Sequence, residues 1–282
     1  MIEVLRAGAL TTVQDLGRPG WAHLGVPRSG ALDPDAMRLA NRLVGNPESA
    51  AGLELTMTGC ALRLTRATTV AVVGAEVDVW VGARPGDTGR PLAVPAGAVL
   101  RIGPARRGLR CWLAVAGGIA VDPVLGSRAT DTLAGLGPAP LRDGDRLPLG
   151  VPAGPPAPVD VTMPVAHPTE VHLTAQLGPR HDWFDTVALD LLYGTAYTVS
   201  PLSNRVGARL AGAPLPRAVP GELPSEGVVL GAVQVPADGQ PLIFLADHPT
   251  TGGYPVIAVV ADVTPLAQAR PGTTVRFHGP QR

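Results

Sequence analysis

Short segments in which apolar and polar residues alternate dominate the chain between Gly52 and Gly103. They read LELTM, ALRLT, TVAVVG, VDVWVG, PLAVP and AVLRIG in order. A period of two places alternate side chains on opposite faces of a strand, so each segment predicts a short β-strand. Further strand-like runs occur at 170–177, 197–200 and 274–277. Many short strands at this spacing predict a barrel or a sandwich.

Two segments carry helical signals instead. Asp33 is a good N-cap with Pro34 at the first helical position, and apolar residues then recur at helical spacing until Gly45. A second helix is predicted with Asp182 as its cap and Gly194 as its end. The fold class is therefore mainly β with few short helices.

The segment GVPAGPPAP at 150–158 is rich in proline and has no periodicity, which is typical of a linker. It predicts an N-terminal lobe of residues 1–150 and a C-terminal lobe of residues 159–282. The boundary is provisional, because a barrel can take strands from both halves.

Composition narrows the function classes. The 282 residues carry 23 basic and 23 acidic side chains with no run of like charge, so neither a nucleic-acid partner nor a membrane surface is indicated. All 23 basic residues are arginines. Because the sequence has no lysine, it has neither a P-loop lysine nor a lysine that could form a Schiff base. Cys60 and Cys111 are expected to be buried and reduced. Because the chain starts without a signal segment and no apolar run reaches spanning length, we expect a cytoplasmic protein.

The stretch from Glu222 to Tyr254 is the most unusual, because acid, amide, hydroxyl and glycine signals lie between two short apolar strands. Two further stretches are also polar and punctuated by glycine: the long segment Thr11–Asp33, read as a loop with Trp21 and Leu24 among its apolar anchors, and the bend at 203–205. Such loops are often functional, although each polar residue is equally typical of a turn cap or a surface ion pair.

No standard catalytic motif or metal-ligand spacing occurs, and the histidines at 167, 172 and 181 fit no known metal site, so no metal is predicted. Carboxylates next to arginines can hold an amide N–H, and arginine can grip a carboxylate at two points. This composition suits a small substrate with amide and acid groups. The candidate catalytic residues are Asp247, Glu226 and Arg205. The candidate substrate-binding residues are Gln14, Asp15, Arg18, Ser29, Ser203, Asn204, Gln234, Thr250, Thr251, Gly252 and Gly253.

Several motifs in fixed order resemble one family over nearly the full chain. They are TTVQDLGRPG at 11–20, GVPRSGALD at 25–33, ANRLVGN at 40–46, AVAGG at 114–118, LGSR at 125–128, SNRVGARL at 203–210 and the segment 225–254. They are similar to the allophanate hydrolase subunit 2 or KipA family, whose members include C subunits of bacterial 5-oxoprolinase and part of the carboxyltransferase region of urea carboxylase.

The resemblance implies a cyclophilin-like, mostly antiparallel β-barrel architecture in two lobes. It also implies one of three functions. The first is the C subunit of an ATP-dependent 5-oxoprolinase, inactive without an A-like chain and a B-like (KipI-like) chain. The second is a biotin-dependent carboxyltransferase-type domain acting on a urea-like amide. The third is a regulatory protein that counteracts a kinase inhibitor.

Under the first function, Arg205 or Arg18 would hold the substrate carboxylate, and Asp247 or Glu226 would hold or deprotonate the ring N–H. Gln14, together with the two threonines at 250 and 251, would donate hydrogen bonds to developing oxygen charge. All these groups are expected to converge on one pocket.

The sequence departs from the family pattern at three places. Asn204 stands where relatives tend to have aspartate, and His248-Pro249 stands where Arg-Gln is usual. The segment 137–140 is shorter than its counterpart. Asparagine removes a charge, so Asn204 is expected either to weaken activity or to serve only in orienting Arg205.

Overall fold

The computed structural model describes residues 1–155 and 169–279. The chain divides into two compact units: unit 1 contains residues 1–18 and 29–167, and unit 2 contains residues 19–28 and 168–282. The last three residues of the predicted linker, 156–158, lie outside the described residues. The short segment 19–28 groups with unit 2 although unit 1 residues flank it on both sides. No pattern in the sequence predicted that assignment.

Unit 1 contains eleven of the described strands and one α-helix. They are β1 Ile2–Arg6, β2 Leu10–Gln14, α1 Pro34–Leu43, β3 Gly52–Thr56, β4 Cys60–Leu64, β5 Thr68–Glu76, β6 Val79–Val81, β7 Arg84–Gly86, β8 Leu92–Val94, β9 Val99–Ile102, β10 Arg107–Val115 and β11 Arg146–Leu147. One sheet has the order β11-β1-β4-β9-β6-β7, and the other has the order β2-β3-β10-β5-β8. Every described pairing in these two sheets is antiparallel.

The two sheets of unit 1 face each other across one apolar core. Leu62 and Leu100 come from the first sheet, and Leu53 and Leu113 come from the second. Alternation along β3 sends Leu53 and Leu55 into this core and Glu54 to the opposite face. Helix α1 packs against this same sheet, where it contacts β5 and β10. The period-two pattern thus produces a sandwich with a helix on one side.

The first helix forms as its sequence signals indicate. Asp33 is its N-cap and accepts a hydrogen bond from the Ala36 N–H at 2.9 Å, and Pro34 begins the helix. Gly45, at φ +73°, ends the segment in the left-handed conformation that glycine adopts most easily. The predicted start and stop of this helix are confirmed.

Unit 2 contains nine described strands and one α-helix. They are β12 Glu170–Leu177, α2 Thr186–Gly194, β13 Ala196–Val199, β14 Gly207–Ala211, β15 Glu226–Gly227, β16 Ala232–Gln234, β17 Leu242–Phe244, β18 Thr251–Gly252, β19 Val256–Val260 and β20 Thr274–His278. Seven of them close a barrel in the order β12-β19-β16-β17-β14-β13-β20, and β15 pairs with β18 apart from it. The barrel is antiparallel except where β12 runs parallel to β20. Tyr197 and Phe277 pack edge to face inside it, with ring centroids 5.9 Å apart.

The second helix begins later than its sequence signals indicated. Its cap is Asp185, which accepts from the Ala188 N–H at 2.9 Å, and Asp182 lies in a separate 3-10 helix, His181–Trp183. Phe184 separates the 3-10 helix from α2, because its backbone is extended, at φ −127° and ψ 148°. The prediction of Asp182 as cap is therefore wrong. Two further 3-10 helices occur at Ala22–Leu24 and Thr264–Gln268.

The segment Thr11–Asp33 is only partly a loop. Its first four residues belong to strand β2, where they pair with β3. Leu24 is not an apolar anchor, because 61% of its surface is exposed. The segment TTVQ predicts a loop because three of its four residues are polar, but in the structure it is a buried strand.

The mainly β prediction with a barrel and few helices is confirmed. Both cysteines are free and buried as expected, and burial raises the pKa of each thiol, for Cys111 to about 12. Within residues 1–155 and 169–279, every helix is too short or too polar to cross a bilayer.

Candidate functional site

In unit 1, Asp15 fixes the loop that follows β2. Its Oδ1 accepts from the Gly17 N–H at 2.8 Å and from the Ser127 hydroxyl at 2.6 Å, and its Oδ2 accepts from the Arg128 N–H at 2.6 Å. The carboxylate thereby joins two segments more than a hundred residues apart. These three bonds use most of the roughly four lone-pair sites of the carboxylate, so Asp15 positions the loop.

Gln14 is fully buried at the end of β2. Its Nε2 donates to the Thr12 hydroxyl at 3.1 Å and to the Thr130 carbonyl at 3.0 Å. Because a carbonyl can only accept, the amide nitrogen must face Thr130. Gln14 Oε1 is then left without a hydrogen-bond partner among the described residues. Ser29, at φ +51°, donates to the same Thr130 carbonyl at 2.8 Å.

Arg18 is the second largest fully buried side chain among the described residues, with 1% of its surface exposed. Its Nε donates to the Val124 carbonyl at 3.3 Å, and its Nη2 donates to the Ala129 carbonyl. Its Nη1 has no acceptor in the described part of the chain. A Cβ on Gly137 would lie 3.3 Å from Nη2, so the backbone also encloses the guanidinium.

In unit 2, Arg205 and Asp247 form a buried two-point ion pair. Arg205 Nε and Nη2 each donate to one Asp247 oxygen at 3.0 Å, and the two side chains are 1% and 0% exposed. The Asp247 N–H also donates to the Arg205 carbonyl at 3.0 Å. Backbone and side chain together fix the start of the loop that leads into β18.

Gln234 holds the far end of the same loop. It is buried, and its Nε2 donates to the Tyr254 carbonyl at 2.9 Å. A Cβ added to Gly252 would lie 2.5 Å from that nitrogen, so a larger residue there would displace the Gln234 amide. Between these anchors Thr250 is half-buried and Thr251 exposed. The exposed Gly253 completes the loop, and Thr250 Oγ1 also lies near Gly25 of the same unit.

Glu226 lies on β15, opposite Gly252 of β18. Arg180 donates to both of its carboxylate oxygens, with Nε at 2.9 Å from Oε2. This hydrogen-bonded pairing lowers the pKa of Glu226 and raises the pKa of Arg180. A carboxylate held ionised in this way is a weak proton acceptor.

Ser203 and Asn204 shape the bend before β14. The Ser203 hydroxyl donates to the Arg209 carbonyl at 3.2 Å and accepts from the Arg209 N–H at 3.0 Å. Asn204 Oδ1 accepts from the N–H groups of Val206 and Gly207 at 2.8 and 3.2 Å. Aspartate at this position could make the same acceptor bonds, because these two bonds use only the Oδ1 acceptor.

The candidate residues thus form two described clusters. Gln14, Asp15, Arg18 and Ser29 belong to unit 1, and the remaining candidates belong to unit 2. The convergence of all of them on one pocket stays a prediction.

Three buried polar residues of unit 1 were missed. Glu54 Oε2 accepts from the Leu32 N–H at 2.9 Å and the Trp112 Nε1–H at 3.1 Å, and so anchors the segment before α1. Thr130 Oγ1 and Asp131 Oδ2 are buried without hydrogen-bond partners among the described residues. Glu54 occupies a polar position in an alternating strand, which is ordinarily a solvent position, and neither Thr130 nor Asp131 lies in a recognisable motif.

A cleft of about 580 Å³ opens elsewhere in unit 2, lined by residues 214–221 and 237–239. None of the candidate residues lines it. We place the site by its chemistry, because the cleft walls are mostly proline, alanine and glycine.

A sandwich and a seven-stranded barrel, each with buried polar side chains, define a mainly β protein. The chain belongs to the family of the carboxyltransferase domain, subdomain A and B, whose model matches residues 24–279. The family resemblance drawn from the motifs is thereby confirmed.

Two curated relatives and one solved structure show how far this similarity extends. The chain is 38% identical to the 5-oxoprolinase C subunit of Escherichia coli (strain K12), over 98% of this chain and 90% of that protein. It is 33% identical to the urea amidolyase of Lachancea kluyveri, over 98% of this chain and 17% of that protein. The crystal structure of the K. lactis urea amidolyase superposes with a TM-score of 0.91 at 30% identity, covering 99% of this chain and 19% of that one.

Proposed function

We propose that this chain is the C subunit of an ATP-dependent 5-oxoprolinase, which opens 5-oxoproline to glutamate together with A-like and B-like partner chains in the cytoplasm. The observation that carries the proposal is the 38% identity with the C subunit of E. coli 5-oxoprolinase over 90% of that protein. The match to the L. kluyveri urea amidolyase spans only 17% of that protein.

The reaction adds water across the lactam C–N bond. The water oxygen bonds to the carbonyl carbon, the C–N bond breaks and a proton goes to the ring nitrogen, which leaves glutamate with a free amine and a second carboxylate. Because an amide is stable, hydrolysis of ATP by the complex supplies the driving force. The sequence contains no lysine for a P-loop, and we place no ATP-binding residue on this chain.

The loop between Asp247 and Tyr254 is proposed to contact the substrate. The Arg205–Asp247 pair fixes its start and Gln234 fixes its end. The Thr250 and Thr251 hydroxyls, with the backbone N–H groups of the two glycines that follow, are suited to donate to the oxygen that gains charge as water attacks.

The proton acceptor stays a hypothesis. Asp247 and Glu226 each form a two-point ion pair with an arginine, and the pairing with Arg180 lowers the pKa of Glu226. Of the two, Glu226 lies on the partly exposed strand opposite Gly252 and is the one open to a small ligand. Ser203 and Asn204 are proposed to support Arg205 through the bend that precedes β14.

Reconstitution tests this proposal. The purified chain is mixed with the candidate A-like and B-like chains, and glutamate formed from 5-oxoproline is measured with and without ATP. We expect ATP-dependent turnover of the complete mixture and little from the chain alone. Bound partners without any turnover would refute the proposal.

A matched pair of variants tests the loop. Thr251→Ala is expected to lower kcat by about 100-fold if its hydroxyl donates to the developing oxyanion. Thr174→Ala removes an exposed hydroxyl on the outer face of the barrel and is expected to leave kcat unchanged. Equal kcat values for both variants would remove Thr251 from the site.

The family model favours one alternative, a carboxyltransferase-type domain that accepts CO₂ from biotin carried on another protein. Under it the substrate would be a urea-like amide. Avidin, which sequesters biotin, would then abolish activity, whereas 5-oxoproline opening is expected to be indifferent to avidin.

A further inference from the structure

The two buried arginines among the candidate residues, one in each unit, differ in what neutralises them. Arg205 is paired with Asp247 at two points. Arg18 is equally buried, but its hydrogen bonds go to the carbonyls of Val124 and Ala129. No carboxylate within the described ranges, 1–155 and 169–279, forms an ion pair with it, and its Nη1 lacks an acceptor.

A buried guanidinium without an anion is costly, because carbonyl dipoles orient it but do not neutralise its charge. Natural proteins pair such groups with carboxylates or phosphates, and arginine does so with two parallel N–H groups. Nη1 supplies unused N–H groups for such a contact. Arg18 is therefore built to receive an anion.

The neighbouring unpartnered atoms indicate what else the anion carries. Gln14 Oε1 is a buried acceptor, and Gln14 bonds to the carbonyl of Thr130, the residue next to Ala129 that Arg18 contacts. Thr130 Oγ1 and Asp131 Oδ2 are further buried atoms without a partner in the described chain. One cationic donor thus lies in the same region as acceptors that would take an N–H.

We propose that Arg18 binds the carboxylate of a small cyclic amide acid while Gln14 Oε1 accepts its ring N–H. The choice of ligand class rests on the proposed function, and the pairing explains why Arg18 rather than Arg205 is the carboxylate receptor. A urea-like substrate has no carboxylate that could pair with the Arg18 guanidinium. The site therefore selects an amide acid over a neutral amide.

The test compares two ligands that differ only in the carboxylate, 5-oxoproline and 2-pyrrolidinone. Their binding to the purified chain is measured by calorimetry, and KM for 5-oxoproline is measured in the reconstituted complex. We expect 5-oxoproline to bind about 10- to 100-fold more tightly, as a charged hydrogen-bonded contact predicts. Arg18→Gln is expected to remove that preference and raise KM by a similar factor.

Two further variants make the result specific. Gln14→Met removes the N–H acceptor at nearly constant volume, so it is expected to weaken both ligands by a similar factor. Arg128→Gln is the matched control, because that side chain donates to the Val121 carbonyl in the same loop. It is expected to change neither ligand. Circular dichroism verifies that each variant is folded, and Gln14→Met decides the site should Arg18→Gln fail to fold.

The outcomes separate this inference from the proposed function. Turnover of 5-oxoproline with an unchanged KM in Arg18→Gln overturns the inference and leaves the function standing. Binding that depends on Arg18 without turnover in any mixture overturns the function and leaves the site standing. Equal affinity of the wild-type chain for the two ligands overturns the inference.

Discussion

Removing one partner of the Arg205–Asp247 pair is expected to lower the free energy of unfolding by about 3–5 kcal/mol. The two N–O distances are 3.0 Å, and the side chains are 1% and 0% exposed, so a single substitution leaves an uncompensated charge in the interior. Most of the loss comes from this stranded charge rather than from the contact itself. Arg205→Met and Asp247→Leu should each show it.

A double-mutant cycle isolates the coupling. Arg205→Met and Asp247→Leu together strand no charge, so the loss in the double variant is expected to be well below the sum of the single losses. Urea unfolding followed by circular dichroism gives the four free energies. Single losses that add, each below about 1 kcal/mol, would show that the pair is solvated and that this reasoning is wrong.

An exposed pair in the same unit is the matched control. Arg276 Nε lies 2.7 Å from Glu170 Oε1, which is shorter than either contact of the buried pair, but the side chains are 42% and 40% exposed. Arg276→Gln is expected to cost less than about 1 kcal/mol. The comparison makes burial, not distance, the variable under test.

Two further predictions concern side chains that accept hydrogen bonds from nearby backbone N–H groups, the helix cap Asp33 and the bend residue Asn204. Burial raises the pKa of Asp33 above its unfolded value, so the stability this gives is fully present below the unfolded pKa and is lost as pH rises through the folded pKa. Asp33→Asn keeps the acceptor for Ala36, so it should match or exceed wild-type stability at neutral pH and lose that advantage in acid. Asp33→Ala should cost about 1 kcal/mol, and thermal unfolding between pH 3 and pH 8 checks both. Asn204→Asp should change stability by less than about 0.5 kcal/mol because Oδ1 still accepts from Val206 and Gly207, whereas Asn204→Ala should cost about 1 kcal/mol. A stability loss in Asn204→Asp equal to that in Asn204→Ala would contradict the acceptor role.

The sequence by itself determined the features that depend on neighbouring residues. Period-two alternation and short apolar runs predicted strands β3 to β6, β8 and β9 of unit 1 and β12, β13 and β20 of unit 2, because a strand with one buried face must alternate. The Asp33-Pro34 start and Gly45 end of α1 were equally readable, since caps and stops act over four or five residues. The two short apolar strands expected in the segment Glu222–Tyr254 also form, as β16 and β17, and they pair with each other.

Local sequence signals gave the wrong prediction where two nearby residues had the same chemistry. Asp182 and Asp185 are both good caps, and only the extended backbone at Phe184 decided between them. The polar residues of TTVQ predict a loop, but the segment forms strand β2 because the rest of the unit buries it. Glu54 occupies a polar position of an alternating strand but is buried, and its carboxylate accepts from the Leu32 N–H and the Trp112 Nε1–H.

Only the tertiary structure decided which polar groups are paired. Asp247 pairs with Arg205, 42 residues away in the chain, and Asp15 accepts a hydrogen bond from Ser127, 112 residues away. Arg18 reaches carbonyls more than a hundred residues away and meets no described carboxylate. Sequence gives the charge of each side chain, but its partner and its burial depend on contacts between distant segments. Those contacts distinguish an arginine that stabilises the fold from one that is built to receive a ligand.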